Sequence, residues 1–340
     1  MRSHGITEHL PLVNMPDCRV ILVENDRWTR NCSVPDGVTV LQGHGNVGYG
    51  TAVNMAVSYA TEDGPAPGWL LVVNSDVTIP SETQVMLPYL LAATTPPVDV
   101  IGFAMRGSDG NHGRGTAVLP TWKTNAYTAV LGEAAAVARW PELRYPIGAF
   151  FAIRTETFHR LGGFDPSYWL YYEETDLFAR LYAAGGNIVW AGDAMPVMHA
   201  GGESTGRSGL LYAELGRSAA VYARRHRHVL GRSWPAVHAA TLSVLATRKL
   251  AAGRPHDALR AARIFTGLMT GLTRPGWEPA TSSQWAAVSA HDRSRLGRLR
   301  PARPGDRTRL TASDQKTGVG THRSRRCAGA PATSTRRTAR

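Results

Sequence analysis

The chain has 340 residues, 43% of them apolar, enough for a large domain with a packed core. Its net charge of +12 is concentrated, because residues 291–340 hold fourteen Arg and Lys against three Asp, so the remainder is close to neutral and no nucleic-acid-binding domain is implied. Cys18, Cys32 and Cys327 have neither metal-site spacing nor a disulfide framework, no run of 18 apolar residues exists, and the first residues lack the apolar stretch of a leader, so a cytoplasmic protein is the expectation.

Arg19 to Val23 (RVILV) is a short β-branched run that stops at Glu24-Asn25-Asp26, the pattern of a buried strand ending in a loop. Val38 to Leu41 repeats it. The glycine-rich stretch Gly43 to Gly50 leads into residues 48–60, whose apolar positions have helical spacing. Trp69 to Val73 (WLLVV) is the clearest strand and ends at Asn74-Ser75-Asp76; a helix capped by Ser81 is expected to run to Ala93, and a strand from Val98 to Ala104. Met105 to Leu119 reads as a mobile loop, Ile147 to Ile153 as an apolar segment, and Met195 to Met198 as a strand delivering His199. From residue 206 the pattern is helical (Leu210 to Leu230, Trp234 to Leu250, Ala258 to Leu272), and after about Gly276 periodicity gives way to an Arg-rich tail expected to be disordered. Strands alternating with helices imply an α/β fold with a mostly parallel sheet and helices on both faces, whose ligands bind beyond the carboxyl ends of the strands. The expected organisation is an α/β domain over 1–205, a helical region over 206–275 and the tail over 276–340.

Several residues carry chemistry. On a helix starting at Tyr172, Leu177, Leu181 and Phe178 fall roughly 40°, 80° and 140° from Glu173, and Glu174, at about 100°, sits amid them. Glu174 should therefore point inward, as a general base needs, while Glu173, Asp176 and Arg180 share another face, where Asp176 and Arg180 can pair. The plainer reading of Glu174 is an acid favouring the helix dipole. Asp76 at its strand end suits Mg²⁺ or Mn²⁺ against a diphosphate, or is only a turn residue. His199 suits a second metal ligand, or is a satisfied strand-end histidine. Glycines at 43–50 permit close approach to a ligand or merely open a helix. Trp169, Tyr171 and Tyr172 offer faces for a sugar, though core packing suits at least one of them better.

These motifs resemble the family-2 inverting glycosyltransferases of the GT-A fold, in particular their rhamnosyltransferase-like branch, from about His9 to Leu230. The resemblance is carried by Gly162-Gly163-Phe164-Asp165, by Tyr172 to Leu177 with Arg180, by His199 and Ser204, by Leu71 to Val77 (LVVNSDV), by Asn46 to Gly50 with Asn54, by Val23-Glu24-Asn25, and by Gly148 to Arg154. It implies a GT-A domain at 1–205, with Glu24, Asn46, Gly48, Asn54 and Asp76 on the nucleotide-sugar. It further implies Asp76 and His199 on Mg²⁺ or Mn²⁺, Glu174 as base, and Trp169 and Glu173 toward the acceptor. The family usually has Asp where Glu174 stands and often a first Asp where Asn74 stands. Its opening strand and helix precede the Val-Asp-Asn strand, and only His9 to Asn14 resembles the end of that helix, so exposed apolar strand edges are expected.

The resemblance implies transfer of a sugar, rhamnose for this branch, from a nucleotide-diphosphate donor to a glycan or lipid-linked acceptor in cell-wall or surface polysaccharide synthesis, with peripheral contact at the inner face of the membrane. The alternative is a binding or remnant protein that keeps the fold without activity. No specific nucleic-acid partner is expected, since the tail lacks interleaved aromatics.

Overall fold

The computed structural model describes residues 15, 17–25, 34, 36–62, 66–107, 113, 115–199, 209–278, 297–299 and 320–322. The expectations for His9 to Asn14, Cys32, Ser204 and Cys327 concern residues outside these ranges.

The α/β class is observed. Strands β1 (Val20–Val23) and β2 (Val38–Gln42) pair in parallel, and helix α1 (Tyr49–Glu62) follows. Next come β3 (Trp69–Val73), β4 (Val77–Thr78), α2 (Ser81–Ala93), β5 (Val98–Gly102) and β6 (Met105–Arg106). An excursion through β7 (Thr116–Val118), α3 (Trp122–Leu131), α4 (Glu133–Arg139) and β8 (Arg144–Pro146) returns to β9 (Phe150–Arg154) and α5 (Thr155–Arg160). Then α6 (Glu173–Ala183), β10 (Asn187–Trp190) and β11 (Val197–His199) complete the α/β part. Ser81 is the first residue of α2 rather than its cap; Pro80 takes the cap position with no side-chain hydrogen bond.

The central sheet has the order β10-β5-β9-β3. It is mixed rather than mostly parallel: β10 and β5 are parallel, but β9 runs antiparallel between β5 and β3. The long excursion before β9 lets it re-enter from the opposite end. Period-two alternation then buries both faces. Leu70, Val72, Phe151 and Ile153 pack with Val57 of α1, Phe158 of α5 and Leu177, Phe178 and Leu181 of α6. Leu71, Val73, Phe150 and Ala152 pack with Leu87, Leu90 and Leu91 of α2. Helices on both faces are thus observed.

The expected loop 105–119 is bracketed by strands. Met105–Arg106 pairs in parallel with β11, and Thr116–Val118 pairs antiparallel with β8. Ala117, Val118 and Leu119 are buried, so the glycines that suggested a loop are confined to its middle. β1 pairs only with β2 among the described residues, and all four of its apolar side chains are half-buried.

Four helices close the chain's helical region: α7 (Gly209–Arg225), α8 (Arg227–Leu230), α9 (Trp234–Ala251) and α10 (Pro255–Thr273). α7 and α10 cross at Gly216 and Gly267. A Cβ on Gly216 would lie 2.0 Å from the Ile264 carbonyl oxygen and one on Gly267 2.1 Å from that of Ala213, so the crossing requires both glycines. Tyr168, Tyr222, Trp234 and Leu268 fill the interior that ties these helices to the α/β part. Two pieces of the expected tail depart from disorder. The Gly297 carbonyl accepts from Asn54 Nδ2 at 2.7 Å and Leu299 packs on the sheet core, while β12 (Gly320–His322) pairs antiparallel with β2. Among the described residues, no helix is long and apolar enough to cross a membrane.

Candidate active site

The site begins where two strands end. β4 and β11 pair antiparallel with His199 opposite Val77, which sets His199 beside Asp76. The contact is direct: His199 Nε2 lies 3.3 Å from Asp76 Oδ2. Thr83 Oγ1 of α2 donates to the Pro196 carbonyl at 2.9 Å and anchors the segment leading into β11. The other carboxylate oxygen, Asp76 Oδ1, is buried with no hydrogen-bond partner among the described residues, an arrangement that costs free energy unless something occupies it. An orphaned carboxylate oxygen beside an imidazole fits a divalent cation. No group of three or more His, Cys, Asp or Glu side chains suited to a metal exists among the described residues, so such an ion would take its other ligands from a phosphate-bearing substrate and water, as Mg²⁺ commonly does.

A second element reaches the same place. Helix α6 opens with Glu173, Glu174 and Asp176 in its first turn, where the helix dipole favours negative charge. Tyr171 and Tyr172 precede it with φ of 67° each, a left-handed pair costly for aromatic residues, and Tyr172 provides no side-chain cap. Tyr49, at the start of α1, ties the groups together. Its hydroxyl donates to the Gly148 carbonyl, and a Cβ on Gly148 would sit 3.5 Å from that hydroxyl oxygen and 3.6 Å from Glu174 Cβ. Burial, then the charges of Glu173, Glu174 and Asp76, push the Tyr49 phenol well above its ordinary range.

The helical wheel is corrected in one respect. Glu173 and Asp176, assigned away from the interior, are 4% and 2% exposed, while Glu174 is half-buried. A wheel assumes one solvent face, but α6 lies between the sheet on one side and α1 and α7 on the others. Gly50 of α1 would bring a Cβ within 3.3 Å of Glu173 Cβ, and His226 beyond α7 meets Asp176 at 2.8 Å. The expected Asp176–Arg180 pair is present at 2.7 Å. Burial and then Glu174's charge push Glu173 well above the ordinary carboxylate range, and its Oε2 has no partner.

The glycine-rich loop forms a neighbouring group. Asn25 Nδ2 donates to the Gly48 carbonyl at 3.0 Å and Asn25 Oδ1 accepts from Val47 N–H at 3.4 Å. Asn46 Oδ1 accepts from Gly48 N–H at 3.1 Å, and Glu24, half-buried at the end of β1, donates its backbone N–H to Leu41. Gly48 has φ +84°, and a Cβ there would lie 2.0 Å from the Trp169 carbonyl oxygen.

Two expected ligand contacts are structural instead. Trp169 is 6% exposed, packs with Leu41, Val47 and Met55, and donates its indole N–H to the Asn46 carbonyl at 3.2 Å, so it braces the loop rather than facing an acceptor. Asn54 is fully buried, accepting from Phe164 N–H at 2.9 Å and donating to the Phe164 carbonyl at 2.7 Å. It positions the Gly-Gly-Phe turn rather than a nucleotide. Tyr49, Asn25 and His226 were not singled out as site residues. Tyr49 and Asn25 lie within motifs already noted, whereas nothing local marks His226.

No family model matches the chain. The sequence is similar to the N-acetylglucosaminyl-diphospho-decaprenol L-rhamnosyltransferase of Mycobacterium tuberculosis, strains CDC 1551 / Oshkosh and ATCC 25618 / H37Rv, with 30% identity over 190 residues that cover 50% of this chain and 61% of each relative. The chain thus spans less than two thirds of the relatives it matches. A crystal structure of S. aureus TarS residues 1–349 superposes with a TM-score of 0.39 and 17% identity, covering 80% of this chain and 88% of that one.

Proposed function

We propose that the chain transfers a sugar from a nucleotide-diphosphate donor to an acceptor hydroxyl with inversion. The observation that carries this reading is the Asp76–His199 contact at 3.3 Å with Asp76 Oδ1 left unpartnered among the described residues. Asp76 and His199 would hold Mg²⁺ or Mn²⁺, which when bound offsets charge on the departing diphosphate. Glu174 takes the proton of the acceptor hydroxyl as its oxygen bonds the anomeric carbon and the bond to the diphosphate breaks. Glu173, buried beside it, is pushed toward its protonated form. Glu24, with the loop held by Asn25 and Asn46, faces the nucleotide.

The relatives' name supports rhamnose as the sugar and a diphospho-decaprenol-linked N-acetylglucosamine as the acceptor; cell-wall synthesis at the inner face of the membrane is the setting that belongs to this reading. The test is Mn²⁺-dependent turnover of nucleotide-sugar donors, rhamnose donors included, by the full chain and by Asp76→Asn. Metal-dependent turnover lost by roughly a hundredfold in the variant supports the reading. Equal turnover in both overturns the metal assignment, and absence of both turnover and metal-dependent donor binding in the wild type supports the binding-protein alternative.

A further inference from the structure

Several arginines of the helical region are held in ion pairs. Arg217 meets Glu214 at 3.0 Å, and Arg225 meets Asp165 at 2.6 Å. Arg224, Arg227 and Arg232, by contrast, form no ion pair with any acid among the described residues, and all three are exposed. They converge on a cavity of about 200 Å³ between the end of α7, the start of α9 and the end of α10, walled by Ala223, Pro235 and Leu272. Arg224, which lines the cavity, is held there by a hydrogen bond of 2.6 Å from Nη1 to the Gly271 carbonyl.

Three like charges around one concavity repel one another, and no acid among the described residues pairs with them. A ligand with several anionic oxygens removes that repulsion, and guanidinium groups match phosphate geometry with paired N–H donors. The apolar wall of Leu272, Ala223 and Pro235 excludes water from one side and strengthens such contacts. A carboxylate would satisfy one arginine; three arginines suit a phosphate or diphosphate group.

We propose that this cavity is a phosphate-binding site, separate from the Asp76–His199 site and lined, among the described residues, by α7, α8, α9, α10 and the turn between α8 and α9. The phosphate can be free or borne by a lipid headgroup. The surface beside it is compatible with the second source, since Val229, 67% exposed, lies between Arg227 and Arg232 in sequence.

The experiment uses the full chain in EDTA, so that no metal bridges a diphosphate to Asp76. Inorganic pyrophosphate binding is measured by calorimetry for the wild type, for Arg227→Glu/Arg232→Glu, and for Lys123→Glu/Arg139→Glu, which changes the same net charge on exposed positions of α3 and α4. Retention on phosphatidylglycerol and phosphatidylcholine vesicles is measured in parallel. The site predicts saturable binding weakened at least tenfold by the first variant and within twofold of wild type in the second. If that pattern is confined to pyrophosphate, the ligand is soluble; if it extends to phosphatidylglycerol vesicles, the ligand is a headgroup. Binding to neither probe, or equal weakening in both variants, overturns the proposal.

Discussion

His226 Nε2 lies 2.8 Å from Asp176 Oδ1, while Asp176 Oδ2 receives Arg180 at 2.7 Å, so one buried carboxylate joins the helix bearing Glu174 to the C-terminal helices. Arg180 continues the network to the Leu161 and Gly163 carbonyls, the latter at 2.9 Å, and so holds the Gly-Gly turn that Asn54 grips from the other side. Burial raises the Asp176 carboxyl, but the His226 and Arg180 contacts outweigh it and hold the group below the ordinary 3.8. A depressed carboxylate contributes stability that is present above its ordinary value and lost as pH falls through its folded one. His226→Ala should lower unfolding free energy by roughly 1–3 kcal/mol. Asp176→Ala should cost more, because it also leaves Arg180 without its charge partner. Urea unfolding of both variants at neutral pH checks the order.

Glu214 predicts the opposite pH behaviour. It is fully buried, and burial outweighs Arg217 to push its carboxyl from 4.5 to about 7. Below about 4.5 folded and unfolded chains both hold this proton. Between 4.5 and 7 the unfolded chain releases it and the folded chain retains it, so stability falls as pH rises, and above 7 the loss is complete. The total is on the order of 3 kcal/mol. Glu214→Gln should flatten the stability profile across that window, as read by thermal unfolding at stepped pH; an unchanged slope would remove Glu214 as its source.

Gly48 is where loop, helix start and Trp169 meet. Its φ of +84° disfavours any side chain, and a Cβ would sit 2.0 Å from the Trp169 carbonyl oxygen that accepts from Tyr49 N–H. Gly48→Ala should destabilise by roughly 3 kcal/mol and displace Tyr49 from the carboxylates. Gly45→Ala is the control: it shares a positive φ but meets nothing within 4 Å, so only the backbone strain of about 1 kcal/mol should appear.

The strands and helices were legible where pattern and boundary residues agreed. β3 runs over Trp69–Val73 and α2 over Ser81–Ala93, as their apolar runs and flanking turns implied. The antiparallel course of β9 was not, since a strand's direction depends on partners distant in sequence. Met105–Arg106 and Thr116–Val118 were hidden because two- and three-residue strands have too little periodicity to register. At the site, Asp76 and His199 were correctly brought together by strand ends. Glu173 and Glu174 were separated on the wrong criterion: a wheel cannot anticipate that a third layer of helices will bury its outer face. Trp169 and Asn54 looked like ligand groups because aromatic and amide side chains are equally the means by which a loop is braced and a buried turn is satisfied.

The two adjacent glutamates give the sharpest test. Glu173 is 4% exposed and pushed by burial toward its protonated form, whereas Glu174 is half-buried with its Cβ near Gly148. The decisive measurement is Mn²⁺-dependent sugar transfer to acceptor by wild type, Glu174→Gln and Glu173→Gln, each first shown to be folded by circular dichroism. If Glu174 is the base, Glu174→Gln should lose turnover by about 10²–10⁴-fold with little change in donor binding, while Glu173→Gln, which replaces a protonated carboxyl by its isostere, should retain it within about tenfold. Full turnover in Glu174→Gln, or a loss confined to Glu173→Gln, would contradict the account.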